Sequence, residues 1–125
     1  MLEGYACVLC VQTGADLSAL QNCLKASEEM LASGDSSRYS DMNQSFHYEI
    51  WNASGNEKLV TMLSELWNGL SMGVQTTERE YAKKSFAEHK KIYEAIAAKD
   101  AETARAQMEK HIRRSLEDML TRYRE

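Results

Sequence analysis

Asn43 and His47 stand four residues apart, a spacing that brings two polar side chains to one face of a helix. Phe46 and Ile50 share that face and mark it as the one directed inward. An amide oxygen and an imidazole that face a core can serve a metal ion or a buried ligand. They need partners from other elements, because burying an unpaired polar group costs free energy.

The chain has two further histidines, His89 and His111, and each lies in the apolar stripe of its own predicted helix. A single core histidine is more often satisfied by one hydrogen bond than by a ligand. Three inward histidines from three helices are harder to explain in that way, since all would need buried partners. Facing helices of a bundle build metal sites from such side chains. Spacing alone leaves a shared site and scattered core polar residues about equally favoured.

Other candidate sites are weaker. Arg79 precedes Phe86 by two helical turns and could lean over the histidine face to bind an anion, although an exposed arginine in a first turn is commoner. Cys7 and Cys10 form a lone CxxC on an apolar helix. Without a second pair, small core residues are favoured over zinc or redox chemistry.

The residue pattern does not favour an enzyme. We find no nucleophile paired with a base, no phosphate-binding loop and no paired inward carboxylates. Glu49 and Glu88 adjoin the histidines in sequence, but helical phase directs them elsewhere, so the histidines lack a neighbouring general base.

Length and composition describe one domain, residues 1–125, that can bury a single core. No apolar run approaches a membrane span, and the start has no basic segment typical of a signal peptide. Three cysteines, an odd number, argue against a secreted disulfide framework and for the cytoplasm. The net charge of -4 gives no electrostatic footprint for nucleic acid, so this chain alone is not expected to bind DNA.

Hydrophobic periodicity predicts an all-α antiparallel bundle of five to six helices with short loops, and no segment alternates as a strand does. The first helix covers residues 2–12 and looks cut rather than capped at its start. Asp16 or Ala15 opens the second, and the central helix ends at Gly55. Asn56 caps the fourth, Asp100 the last, and a helix over about 77–98 lies between them. The fourth helix has the predicted buried stripe Leu59, Leu63, Leu66, Trp67 and Leu70.

Two spaced motifs carry a family resemblance. Asn43-x-x-Phe-His47-x-x-Ile, followed by Ser-Gly-Asn and Leu-Trp, resembles the central motif of the FCD domain, the effector-binding half of FadR-subfamily GntR transcription regulators. The run from Glu88-His89 to His111-Ile112 resembles that domain's second signature, and Leu2-Glu3-Gly4 matches its first helix.

The resemblance implies an all-helical bundle whose core holds a divalent metal, often zinc or nickel, on one Asp or Asn and three histidines. The matching positions are Asn43, His47, His89 and His111, the four residues reached above from helical phase. It also implies a small organic acid as effector, bound at this metal, and a homodimer whose hold on DNA changes with the effector.

Two departures from the family pattern affect these expectations. Asn43 replaces the usual Asp, and a neutral amide oxygen is a poorer ligand that leaves a more positive site. The family reads DNA through an N-terminal winged helix-turn-helix, which would precede Met1, as would the usual arginine of the first helix. The leading interpretation is a metabolite-sensing domain. The alternatives are a helical dimerisation module without metal and, less favoured, a small metalloenzyme.

Overall fold

The computed structural model describes residues 2–34, 38–71 and 79–124, with side chains for all of these except Ser40, 67–71, 79–81 and 118–124. Its six helices form an all-α antiparallel bundle, as the periodicity predicts, and no strand occurs within the described ranges. They are α1 (Leu2–Thr13), α2 (Ser18–Ala32), α3 (Tyr39–Ala53), α4 (Glu57–Ser71), α5 (Arg79–Ala97) and α6 (Ala101–Arg124). No described helix combines the length and the apolar composition needed to cross a membrane.

Short connections with specific turn chemistry end the helices. Gly55 has φ of 74° and terminates α3, in the left-handed conformation that glycine adopts without steric cost. The Asn56 side chain then accepts the backbone N–H of Leu59 at 3.1 Å, which confirms it as the cap of α4. Asp100 accepts the backbone N–H of Thr103 in the same way at the start of α6.

The second helix begins slightly later than predicted. Its first residue is Ser18, and the Asp16 carboxylate accepts hydrogen bonds from the backbone N–H and the hydroxyl of Ser18. Asp16 therefore closes a turn before the helix instead of opening it. The predicted capping of α3 falls on residues 35–37, which lie outside the described residues.

Helix α4 departs from its predicted stripe at one position. Leu59 and Leu63 are buried, whereas Leu66 is 53% exposed. Among the described residues the helix packs against α3 and α1, which cover a narrow face, and Leu66 falls outside it. The side chains of Trp67 and Leu70 lie outside the described residues.

The core lies where α1, α3, α5 and α6 meet, and α2 closes it from the side of α3 and α5. Helix α1 packs against α6 so closely that a Cβ on Gly4 would approach Arg105 Cγ to 3.0 Å. This close contact involves α6, one of the three helices that carry the histidines. Among the described residues, the contiguous hydrophobic core consists of Ala6, Cys7, Cys10, Leu20, Cys23, Leu24, Phe46, Ile50, Trp51, Leu59, Leu63, Ile92, Ala95, Ile96, Ala104 and Met108.

Candidate metal centre

The three histidines meet inside the bundle. His47 on α3, His89 on α5 and His111 on α6 are each 1% exposed. The Nε2 atom of His111 lies 3.3 Å from that of His47 and 3.2 Å from that of His89. All three can offer one nitrogen to a common point, within 4.8 Å of one another.

The remaining ring nitrogens of His47 and His111 face carboxylates. Glu3 Oε2 on α1 lies 2.8 Å from His47 Nδ1, and Glu88 Oε1 on α5 lies 2.6 Å from His111 Nδ1. An ionised carboxylate can only accept, so each contact favours the tautomer with the proton on Nδ1. His111 Nδ1 donates to Glu88 in an aligned hydrogen bond, whereas His47 Nδ1 lies close to Glu3 without the alignment of one. The Nε2 atoms of both rings therefore present lone pairs to the meeting point.

His89 is held by different neighbours. Its Nδ1 lies 3.4 Å from the hydroxyl of Tyr39, which donates its own proton to Ser85 Oγ at 2.8 Å and can accept from the ring. Ser85 Oγ also lies 3.5 Å from His89 Nε2, at the limit of a hydrogen bond. Phe46 stacks on the imidazole with centroids 3.9 Å apart and planes at 9°, so packing fixes the ring's orientation.

Burial favours the neutral form of two of the imidazoles, His89 and His111. It lowers the pKa of His89 well below its ordinary value, and positive charge on His47, His111 or Arg114 would lower it further. Burial also lowers the pKa of His111, although Glu88 opposes that effect. Neutral imidazole is the form that binds a metal, so no proton need be displaced at neutral pH.

The carboxylates are ionised beside these rings. Burial raises the pKa of Glu3, but His47 and the Trp51 indole, which donates to Glu3 Oε1, outweigh it and lower that pKa overall. Burial would also raise the pKa of Glu88, but His111 and Arg114 outweigh it and lower that pKa overall. The Arg114 Nε donates to the second oxygen of Glu88.

Asn43 lies one turn from His47 on α3, and its Oδ1 is buried without a hydrogen-bond partner among the described residues. An unsatisfied buried oxygen costs free energy, so a cation that it could coordinate would relieve the cost. Zn–N bonds of about 2.0–2.1 Å at tetrahedral angles set neighbouring nitrogens about 3.3–3.4 Å apart. The two measured Nε2 separations, 3.3 and 3.2 Å, are close to that edge. The residues present fit a divalent metal.

Arg79 is the first residue of α5, and its side chain lies outside the described residues. Its predicted role in binding an anion therefore stays a prediction. Cys7, Cys10 and Cys23 are buried in the core, and each has a free thiol.

Sequence reasoning missed both carboxylates. Glu88 was expected to point away from the histidines, and that prediction is wrong: it turns away from His89 on its own helix but contacts His111 on the next. Glu3 was matched to the first helix of the family but was not among the predicted site residues. Its signal was available, since it is the only charged residue of the otherwise apolar α1, a position that a carboxylate occupies only when it is paired.

Comparison with known proteins agrees with these features. The family described as FCD domain matches residues 1–114. The chain is 33% identical over 123 residues to the HTH-type transcriptional regulator LutR of Bacillus subtilis (strain 168). That alignment covers 90% of this chain and 53% of the relative, so the chain spans about half the relative's length.

Proposed function

The chain belongs to the FCD domain family, and from that membership and the geometry of its core we propose that it is the effector-sensing domain of a GntR-type transcriptional regulator. In this proposal Asn43, His47, His89 and His111 hold a divalent metal, zinc or nickel, and a small carboxylate metabolite binds beside it. The observation that carries the proposal is the convergence of the three histidines: His111 Nε2 lies 3.3 and 3.2 Å from the Nε2 atoms of His47 and His89, and one nitrogen from each ring lies within 4.8 Å of the others.

Lone-pair repulsion supports a cation at this point. With the proton on Nδ1 of each ring, the three imidazoles would direct three lone pairs at one another. Such an arrangement in a core is unfavourable unless a positive charge lies between the nitrogens. A bound divalent ion would supply that charge and an open coordination position for an anionic oxygen.

The charge balance favours an anionic effector. Glu3, Glu88 and Arg114, the charged side chains beside the rings, carry one net negative charge. Since Asn43 contributes no charge, a divalent ion would leave an excess of one positive charge. A carboxylate offsets this excess, whereas an amine or a neutral sugar does not.

Regulation would follow from the placement of the ligands on separate helices. His47, His89 and His111 lie on α3, α5 and α6, so an effector that binds one arrangement of these helices better shifts the population toward it. In a cytoplasmic homodimer this shift would alter the spacing of DNA-reading domains supplied outside these residues. Within this proposal residues 1–125 act as one domain and catalyse no reaction.

Elemental analysis tests the metal directly. Protein purified without chelator is expected to retain close to one equivalent of zinc or nickel, and His89→Ala and His111→Ala to lose it. Lys90→Ala, an exposed neighbour of His89, is the matched control and should keep the metal. A metal-free wild type that also fails to take up added Zn²⁺ or Ni²⁺ would contradict the proposal.

A further inference from the structure

Two buried or half-buried carboxylates contact the histidines without belonging to the predicted ligand set. Glu3 comes from α1, and its second oxygen accepts the Trp51 indole N–H. Its side chain is 11% exposed, so solvent competes little for the contact with His47. This carboxylate is therefore held at both oxygens.

Glu88 is likewise contacted at both of its oxygens. One oxygen lies 2.6 Å from His111 Nδ1, and the other accepts from Arg114 Nε at 2.5 Å. Arg114 stands three residues after His111 on α6, so the two side chains share a face and grip Glu88 together. Each carboxylate thus approaches its histidine from a different helix.

The third histidine has no carboxylate partner among the described side chains. Within them, His89 Nδ1 faces the neutral hydroxyl of Tyr39, at the longer distance of 3.4 Å. A hydrogen bond to a charged group is shorter and roughly twice as strong as a neutral one. An adjacent carboxylate therefore favours the Nδ1–H tautomer of His47 and of His111 more strongly than the Tyr39 hydroxyl favours that of His89.

We propose that Glu3 and Glu88 are positioning residues that hold the ring protons of His47 and His111 on Nδ1, so that both Nε2 lone pairs stay directed at the meeting point. They also place negative charge behind the rings. The proposed ligand Asn43 is neutral and supplies no such charge. The consequence for metal affinity rests on the proposed function, whereas the assignment of the proton does not.

Imidazole tautomers in the metal-free protein test the assignment without any metal. Long-range ¹H–¹⁵N correlation spectra of ¹⁵N-labelled wild type should show His47 and His111 with the proton on Nδ1. Glu3→Gln should shift His47 toward the other tautomer and leave His111 unchanged, and Glu88→Gln should do the reverse. Each ring serves as the control for the other, and a general loss of packing would change both.

Zinc titration against a competing chelator tests the consequence. Removing such an outer partner typically weakens metal binding by about 10–100-fold, and we expect a loss of this size for each substitution. Glu49→Gln removes the same charge two residues from His47 and should change the affinity by less than about twofold. Far-UV circular dichroism of each variant checks that the helices persist.

The outcomes separate the two proposals. Suppose that wild type binds zinc and that Glu3→Gln and Glu88→Gln have the same zinc affinity and the same histidine tautomers as wild type. This result would overturn the positioning role and leave the proposed function intact. If the two substitutions change the tautomers but the wild-type protein binds no zinc, the positioning role is supported and the metal site is contradicted. Protons found on Nε2 of His47 and His111 in wild type would overturn the inference outright.

Discussion

At the scale of single residues, two of the three buried histidines each have a carboxylate beside the outer ring nitrogen and direct the inner one toward the point where the three rings meet. The outer nitrogens of His47 and His111 contact ionised carboxylates, and the inner nitrogens approach one another to within 3.3 Å. Asn43 Oδ1 is buried with no hydrogen-bond partner among the described residues. A group of this kind is destabilising in isolation and becomes useful when a ligand occupies the centre.

Asn43→Asp should strengthen divalent metal binding. A carboxylate supplies the negative charge that the amide lacks, and ligand charge tunes metal affinity over orders of magnitude, so we expect a gain of roughly tenfold or more. Zinc titration with a competing chelator measures the change. Asn52→Asp, an exposed position on the same helix, is the control, and an equal effect in both variants would refute a specific role for Asn43.

The thiols should be unreactive in the folded protein. Burial raises the pKa of Cys23 to about 11 and that of Cys7 well above its ordinary value, so neither forms thiolate near pH 8. Iodoacetamide is expected to modify all three cysteines rapidly in denaturant and at least about tenfold more slowly in the native state. Rapid native labelling of Cys7 or Cys10 at pH 8 would argue for a redox function of the CxxC.

At the scale of elements, helix α4 carries two leucines three residues apart, one of them buried and the other exposed. Leu63 is 4% exposed and packs in the core, whereas Leu66 is 53% exposed. The sequence pattern assigned both to one stripe, because periodicity describes a helix without stating how many neighbours cover it.

Leu63→Ala should lower the free energy of unfolding by about 2–5 kcal/mol, through lost burial and a residual cavity. Leu66→Ala should change it by less than about 0.5 kcal/mol, since an exposed side chain has little to lose. Urea unfolding followed by circular dichroism compares the two. Equal losses would show that Leu66 is covered in solution.

The helices and the inward faces of the histidines could be predicted from sequence because both follow from periodicity within one segment. Gly55 and Asn56 were placed correctly at a helix end, since their local turn chemistry requires no tertiary information. Glu88 was misassigned because its partner lies on another helix, and helical phase fixes direction only relative to its own axis.

At the scale of the whole molecule, the site joins most of the bundle. Helices α3, α5 and α6 supply the histidines, and α1 supplies Glu3, so four of six helices contribute to the centre. A ligand bound there would stabilise the fold by mass action, by about 2.7 kcal/mol at a free concentration one hundred times its Kd. The same connection would let occupancy of the core alter how the bundle presents its surface to a second copy or to attached domains.

Crystallographic anomalous scattering tests the central claim most directly. Data collected on either side of the zinc absorption edge, from crystals grown with Zn²⁺, should give one strong anomalous peak at about 2.0–2.1 Å from Nε2 of His47, His89 and His111. Continuous density from the peak to a small carboxylate would extend the result to the effector. No peak at that point, or rings turned so that their Nε2 atoms diverge, would contradict the account.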